Sequence, residues 1–131
     1  MTWSALFGTF VLSHLVGDFL LQTNWQAMNK HGGLGRDAET RRALATHVLT
    51  YTLCFVPALV WTATEIGALA GVGLALLVAL PHAAVDDGRF VSGWVRRVKG
   101  VHGTPPNVVR LGVDQTLHVL ALGAVALLGS S

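Results

Sequence analysis

Four apolar stretches dominate this chain, and each is long enough to cross a bilayer. They run from about Trp3 to Gln22, from Ala43 to Thr64, from Ile66 to Val85 and from Val108 to Leu128. A spanning helix needs about 20 predominantly apolar residues, and helical geometry satisfies the backbone polar groups within the segment. Composition agrees. Of 131 residues 52% are hydrophobic and 12% charged, whereas a soluble domain carries about 25% charged residues. The mean hydropathy is +0.55. The expected architecture is all-α: a single domain over 1–131, an integral membrane four-helix bundle. The formal charge of +2 is too small to point to nucleic acid. The single cysteine, Cys54, has no partner for an intrachain disulfide and reads as a buried apolar residue. The first apolar run lacks the basic flank and small-residue cleavage site of a signal peptide, so it is expected to stay as a membrane helix.

The connections are uneven. Residues 23 to 42 are polar and carry His31-Gly32-Gly33-Leu34-Gly35. Only a tight turn near Glu65 separates the second and third stretches. Residues 87 to 107 interleave Arg89, Arg96, Arg97 and Lys99 with Phe90, Val91, Trp94, Val95 and Val98. That pattern predicts a short amphipathic surface helix between the third and fourth spans. Thr104-Pro105-Pro106 reads as a helix start, with Thr104 as N-cap. Trp3, Trp25, Trp61 and Trp94 fall near span ends, as in an interfacial aromatic belt. All nine Lys and Arg residues lie in the two long connections or at their edges. The positive-inside rule then places both connections in the cytoplasm and both termini on the other side.

Against this apolar background stand His14-x3-Asp18, His47, His82-x3-Asp86 and Asp114-x3-His118. Three of these are His/Asp pairs at i, i+4, which share one helix face. Ionisable groups at membrane depth are costly and mark functional sites by default. Alternating spans bring all seven to one leaflet: the end of span one, the start of span two, the end of span three and the start of span four. Imidazole and carboxylate together suit zinc, manganese or iron. Seven candidates exceed the usual four ligands of one zinc. The surplus fits two metals sharing carboxylates, or one metal with supporting partners and a general base. Gln22 is expected one turn beyond Asp18 on the same face, and Tyr51 one turn after His47. Gln115 is expected to point elsewhere, and Asp87 to be a solvated loop or cap residue. His31 and His102 read as solvent residues. Pro81, just before His82, frees a carbonyl near Leu77 and can aim the pair inward.

The stretches His14-Leu15-Val16-Gly17-Asp18-Phe19-Leu20-Leu21-Gln22-Thr23, His47-Val48-Leu49-Thr50-Tyr51, His82-Ala83-Ala84-Val85-Asp86 and Val113-Asp114-Gln115-Thr116-Leu117-His118 occur in this order. Over nearly the whole chain they resemble domain-of-unknown-function family 3307, small integral membrane proteins of bacteria and phages. The resemblance implies a helical membrane protein of the bacterial inner membrane and names no reaction. In residue type and placement the pattern is also similar to membrane-bound metal-dependent hydrolases, an analogy rather than a motif match.

The leading expectation is a metal-dependent hydrolase acting on a phosphoester or ester of a lipid-like substrate at the cytoplasmic leaflet. His14, Asp18, His82, Asp86 and His118 are the preferred ligands. Asp114 is a bridging ligand or general base, and His47 a ligand or the acid for the leaving group. The alternatives are a metal-ion or proton transporter and a non-catalytic, metal-stabilised membrane module. Carboxylates in the set argue against bis-histidine haem binding. Membrane lipid is the expected partner. Gly67-Ala68-Leu69-Ala70-Gly71-Val72-Gly73 permits close helix contact, either in a homo-oligomer or within the bundle.

Overall fold

The computed structural model describes residues 1–130. Helix α1 (Trp3–Leu15) is capped by Thr2, whose Oγ1 accepts from the Ala5 amide at 3.4 Å, and runs into a π-helical turn over Val16–Leu20. The short α2 (Asn24–Asn29) starts at a reciprocal cap. Thr23 Oγ1 accepts from the Gln26 amide, and Gln26 Oε1 accepts from the Thr23 amide at 2.9 Å. Helix α3 spans Ala38–Ile66, α4 Ala68–Asp86, α5 Arg89–Arg97 and α6 Asn107–Gly129. Segments Trp3–Leu20, Ala38–Ile66, Ala68–Asp86 and Asn107–Gly129 are long and apolar enough to cross a membrane.

The four long helices close a ring. Helix α1 packs on α3 and α6, and α4 packs on the same two. One half of the interior is apolar and filled by Leu6, Phe10, Phe55, Leu74, Val78 and Leu122. The exterior is also apolar: Leu12, Leu53, Leu69 and Leu120 are all exposed. An apolar outside around a packed inside is the distribution expected where lipid replaces water. Helix α5 buries Val91 and Val95 against Val113 of α6 and leaves Phe90 and Trp94 exposed, in line with a surface helix.

Two glycines set the helix contacts. Gly67, at φ 95°, turns the chain between α3 and α4 in a conformation that L side chains rarely adopt. At Gly71 a Cβ would stand 2.6 Å from the Ala63 Cβ. This part of the small-residue stretch is therefore spent inside the bundle, on the α3–α4 contact.

Several local expectations are revised. Helix α3 begins at Ala38, five residues before the expected span, because Asp37 and Glu39 favour a start there. The polar connection before it contains α2. Helix α6 starts at Asn107 with Pro106 at the cap position, so Thr104 is not its N-cap. Pro81 lies inside α4, as expected, and that helix ends at Asp86. The first span does not continue as a regular α-helix to Gln22. Its last turn is π-helical, with the Leu21 amide bonded to the Val16 carbonyl at 2.9 Å.

That π turn fits against α3 only because residue 17 is glycine. A Cβ there would lie 2.7 Å from Tyr51 Cδ2 and 3.3 Å from the Tyr51 Cα. Gly17→Ala is expected to destabilise the protein by about 1–3 kcal/mol, the usual cost of overpacking. Thermal unfolding in detergent checks this against Gly8→Ala, where a Cβ meets nothing within 4 Å. Equal shifts for the two variants would show that the contact carries no such constraint.

Candidate metal centre

Four helix segments each deliver part of one buried cluster. The π turn brings Asp18, α3 brings His47, the last turns of α4 bring His82 and Asp86, and α6 brings Asp114 and His118. Asp18, His47, His82 and Asp86 offer ligand atoms that all lie within 4.8 Å of one another. Asp86, Asp114 and His118 form a second such group, so Asp86 belongs to both.

The first group has the dimensions of a coordination shell. His47 Nε2 lies 3.3 Å from Asp18 Oδ1, 2.9 Å from Asp86 Oδ2 and 3.1 Å from His82 Nε2. His82 Nε2 lies 3.1 Å from Asp86 Oδ2 and 3.6 Å from Asp18 Oδ1. Nitrogen and oxygen ligands at about 2.0–2.1 Å from a tetrahedral ion stand about 3.3–3.4 Å apart.

Hydrogen bonding alone does not satisfy these atoms. A neutral imidazole carries one N–H, and an ionised carboxylate only accepts. Asp18 Oδ1, His47 Nδ1, His82 Nδ1, Asp86 Oδ1 and His118 Nε2 are buried without a hydrogen-bond partner. His118 is the most telling. Its Nδ1 faces the Asp114 carbonyl at 3.0 Å and must donate there, which leaves the Nε2 lone pair for another partner. A ligating histidine is held in this way, with one ring nitrogen anchored by a carbonyl and the other free to coordinate. Buried, under-protonated donor atoms converging from several helices fit a metal ion.

His14 has a different environment. Its Nδ1 is 3.2 Å from Tyr51 Oη and 3.5 Å from Asp18 Oδ2, and its Nε2 is 2.9 Å from Gln115 Oε1. It stands beside Asp18 and outside both ligand groups. Tyr51 also stacks on the His82 ring, with centroids 3.4 Å apart, and fixes its plane. Gln22, just past the π turn, brings its Nε2 to 3.1 Å from His47 Nε2. Gln115 was expected to point away. Its Nε2 instead donates to Asp114 Oδ2 at 3.1 Å while its Oε1 meets His14, which places it between the two.

The sequence reading missed Lys30. This residue ends α2, is 8% exposed, and donates to Asp86 Oδ2 at 2.8 Å. It arrives there because the following glycine loop straps onto α4. The Gly32 amide donates to the Asp87 carbonyl, and the Leu34 amide to Asp87 Oδ1, both at 2.8 Å. Gly33 presses on the start of α3, where a Cβ would lie 2.4 Å from the Leu44 Cβ. No helical periodicity links Lys30 to the cluster, so only its place next to the glycines could have hinted at it. Asp87 is accordingly buried rather than solvated. The Arg89 guanidinium, donating to Asp87 Oδ2 at 2.5 Å, holds that carboxyl below the usual range. His31 is exposed as expected, yet its Nδ1 lies 3.1 Å from the Asp86 carbonyl. His102 is exposed.

A cavity of about 220 Å³ opens beside the cluster. Its polar lining includes Asp18, Gln22, Lys30, Arg110, Asp114 and Gln115. It reaches one carboxylate of each ligand group, Asp18 and Asp114. The cluster is therefore accessible from one side and packed on the others.

A family profile described as protein of unknown function (DUF3307) matches residues 6–130, and the chain belongs to that family. No curated protein and no solved structure matches the chain significantly.

His82→Ala removes one ring from the four-residue group. It is expected to lower metal retention by at least about tenfold, in the range of losses seen when a metal site is weakened. Elemental analysis of detergent-purified protein, wild type beside variant, reads this directly. His102→Ala serves as the exposed control and should retain metal as the wild type does.

Proposed function

We propose that this DUF3307 protein is a membrane-embedded metal-dependent hydrolase that acts on a phosphoester of a lipid-like substrate at the cytoplasmic leaflet. The observation that carries the reading is the cavity beside the ligand cluster. A purely structural metal site is closed, whereas a catalytic one keeps a side open to water and substrate. Here the open side is lined by Asp18 and Asp114 and flanked by Lys30 and Arg110. The sidedness rests on charge: all nine basic residues lie in connections or edges at the cluster end of the bundle.

Charge balance favours a divalent ion such as zinc, manganese or iron. Asp18, Asp86 and Asp114 bring three carboxylates, and Lys30 offsets one of them. Two negative charges remain in a low-dielectric interior, where uncompensated charge is expensive. A bound divalent cation supplies Lewis acidity towards a phosphoryl oxygen and lowers the pKa of a bound water to about 7.

The chain's own residues have distinct tasks. Asp18, His47, His82 and Asp86 hold the ion, and Asp86 links it to His118 and Asp114. His47 packs among the ligands and does not line the cavity, which favours holding the ion over leaving-group protonation. Asp114 lines the cavity and is partly exposed, so it suits the role of a base for a substrate water. His14, anchored by Tyr51 and Gln115, orients the Asp18 carboxylate. A transport path finds less support, because Leu6, Phe10, Phe55, Leu74, Val78 and Leu122 fill the other half of the interior.

Asp114→Asn is expected to lower hydrolysis of a phosphoester reporter by about 10²- to 10⁴-fold, the usual contribution of a positioned base. The four-residue metal group keeps its ligands in this variant, so metal content should stay close to wild type. Wild-type protein that purifies without metal, or hydrolyses no phosphoester when loaded, would overturn the reading.

A further inference from the structure

Arg110 sits one turn before Asp114 on α6 and lines two adjoining hollows. One is the cavity beside the metal cluster. The other lies outside it, between the His31–Gly32 loop and α5, and includes Arg89, Ser92 and Arg96. The guanidinium reaches this point because residue 88 has no side chain. Gly88, at φ +80°, would place a Cβ 3.1 Å from Arg110 Nη2 and 2.8 Å from His31 Nδ1.

Among the described residues no carboxylate oxygen forms an ion pair with Arg110. Asp114, the nearest along the helix, is engaged elsewhere: its Oδ2 accepts from Gln115 Nε2 at 3.1 Å and lies 3.6 Å from His118 Nδ1. Arg89 is held by Asp87 at 2.5 Å. A partly buried, unpaired guanidinium at the mouth of a cavity is set up for an anion. Its planar fork matches two oxygens of a phosphate group. Lys30 stands deeper in the same cavity, with one of its three ammonium protons committed to Asp86. The lining also includes exposed apolar side chains: Phe19 is 59% exposed and Leu111 51%, one at the end of the first span and the other near the start of the last. The cavity thus combines basic side chains with apolar ones that are also exposed on the outer surface of the bundle.

We propose that Arg110, backed by Lys30, is the phosphate-recognition residue of this cavity, and that Phe19 and Leu111 admit the apolar part of a lipid phosphoester from the bilayer side. This rests on the hydrolase reading and names the residues that would recognise its substrate. Asp18 and Asp114 also line the cavity, so an anion binds well only when a cation occupies the adjoining cluster.

The test uses metal-loaded, detergent-purified full-length protein and two probes, inorganic phosphate and a short-chain phosphatidate, followed by calorimetric titration. Arg110→Gln is expected to weaken both by about ten- to a hundredfold, as for the loss of a charged hydrogen bond. Arg110→Lys, which keeps the charge and loses the fork, should fall between. The phosphatidate should bind wild type more tightly than phosphate does, and Phe19→Asn should remove only that advantage. Thermal unfolding and metal content are read on the same samples. Metal-loaded protein that binds phosphate equally with and without the Arg110 guanidinium overturns the subsite. Equal affinities for phosphatidate and phosphate overturn the bilayer-side mouth. Wild-type protein that holds no metal overturns the hydrolase reading instead, and the Arg110 comparison at high phosphate still decides the subsite.

Discussion

Asp86 is the charge around which this molecule is arranged. A carboxylate 1% exposed in a bundle with an apolar exterior cannot be left alone. Lys30 reaches it from the glycine loop at 2.8 Å, and His47 and His82 at 2.9 and 3.1 Å, while His118 approaches its other oxygen at 3.7 Å. These partners come from α2, α3, α4 and α6. Satisfying one buried charge therefore fixes how four helices meet. The same crowding leaves buried lone pairs without hydrogen-bond partners, an arrangement that could hold a cation.

The bundle divides its interior by chemistry. The half away from the cluster is held by aliphatic and aromatic packing around Phe10 and Phe55. In lipid there is little hydrophobic gain from bringing helices together, so close fit matters more. Gly71 against Ala63 and Gly17 against Tyr51 supply that fit at opposite ends. Gly17 also permits the π turn that carries Asp18. Such turns occur often at functional sites because they re-aim a side chain within an otherwise regular helix. The polar half can then be irregular where it needs to be, at the π turn and the glycine loop, because a rigid apolar half holds the helices in register.

Some of the site was legible from residue order. His/Asp pairs four apart must share a helix face, and alternating spans must bring their ends to one depth, so the meeting of Asp18, His47, His82, Asp86, Asp114 and His118 followed from spacing and topology. The parts that escaped are those that depend on rotation or on loop path. Gln115 meets His14 across the α1–α6 contact, which no linear pattern encodes. Lys30 enters the cluster on a loop whose Gly32 and Leu34 amides donate to the Asp87 carbonyl and carboxylate, contacts separated by more than fifty positions in the chain. Asp87 was misjudged for the same reason, since the loop that buries it is distant in sequence.

Residue order was enough to specify a four-span helical membrane protein of the DUF3307 family, with the His and Asp residues of its spans gathered at the basic end. Span length, helical periodicity and the placement of Lys and Arg are local quantities, and hydrocarbon permits few alternatives to the helix. Folding alone sets which of those residues face one another, puts His14 beside Asp18 and outside both clusters that could hold a metal, and opens a cavity beside Asp18 and Asp114. Those outcomes depend on helix rotation and on close approaches at Gly17, Gly33 and Gly88, and steric fit between distant segments exists only once the chain has folded.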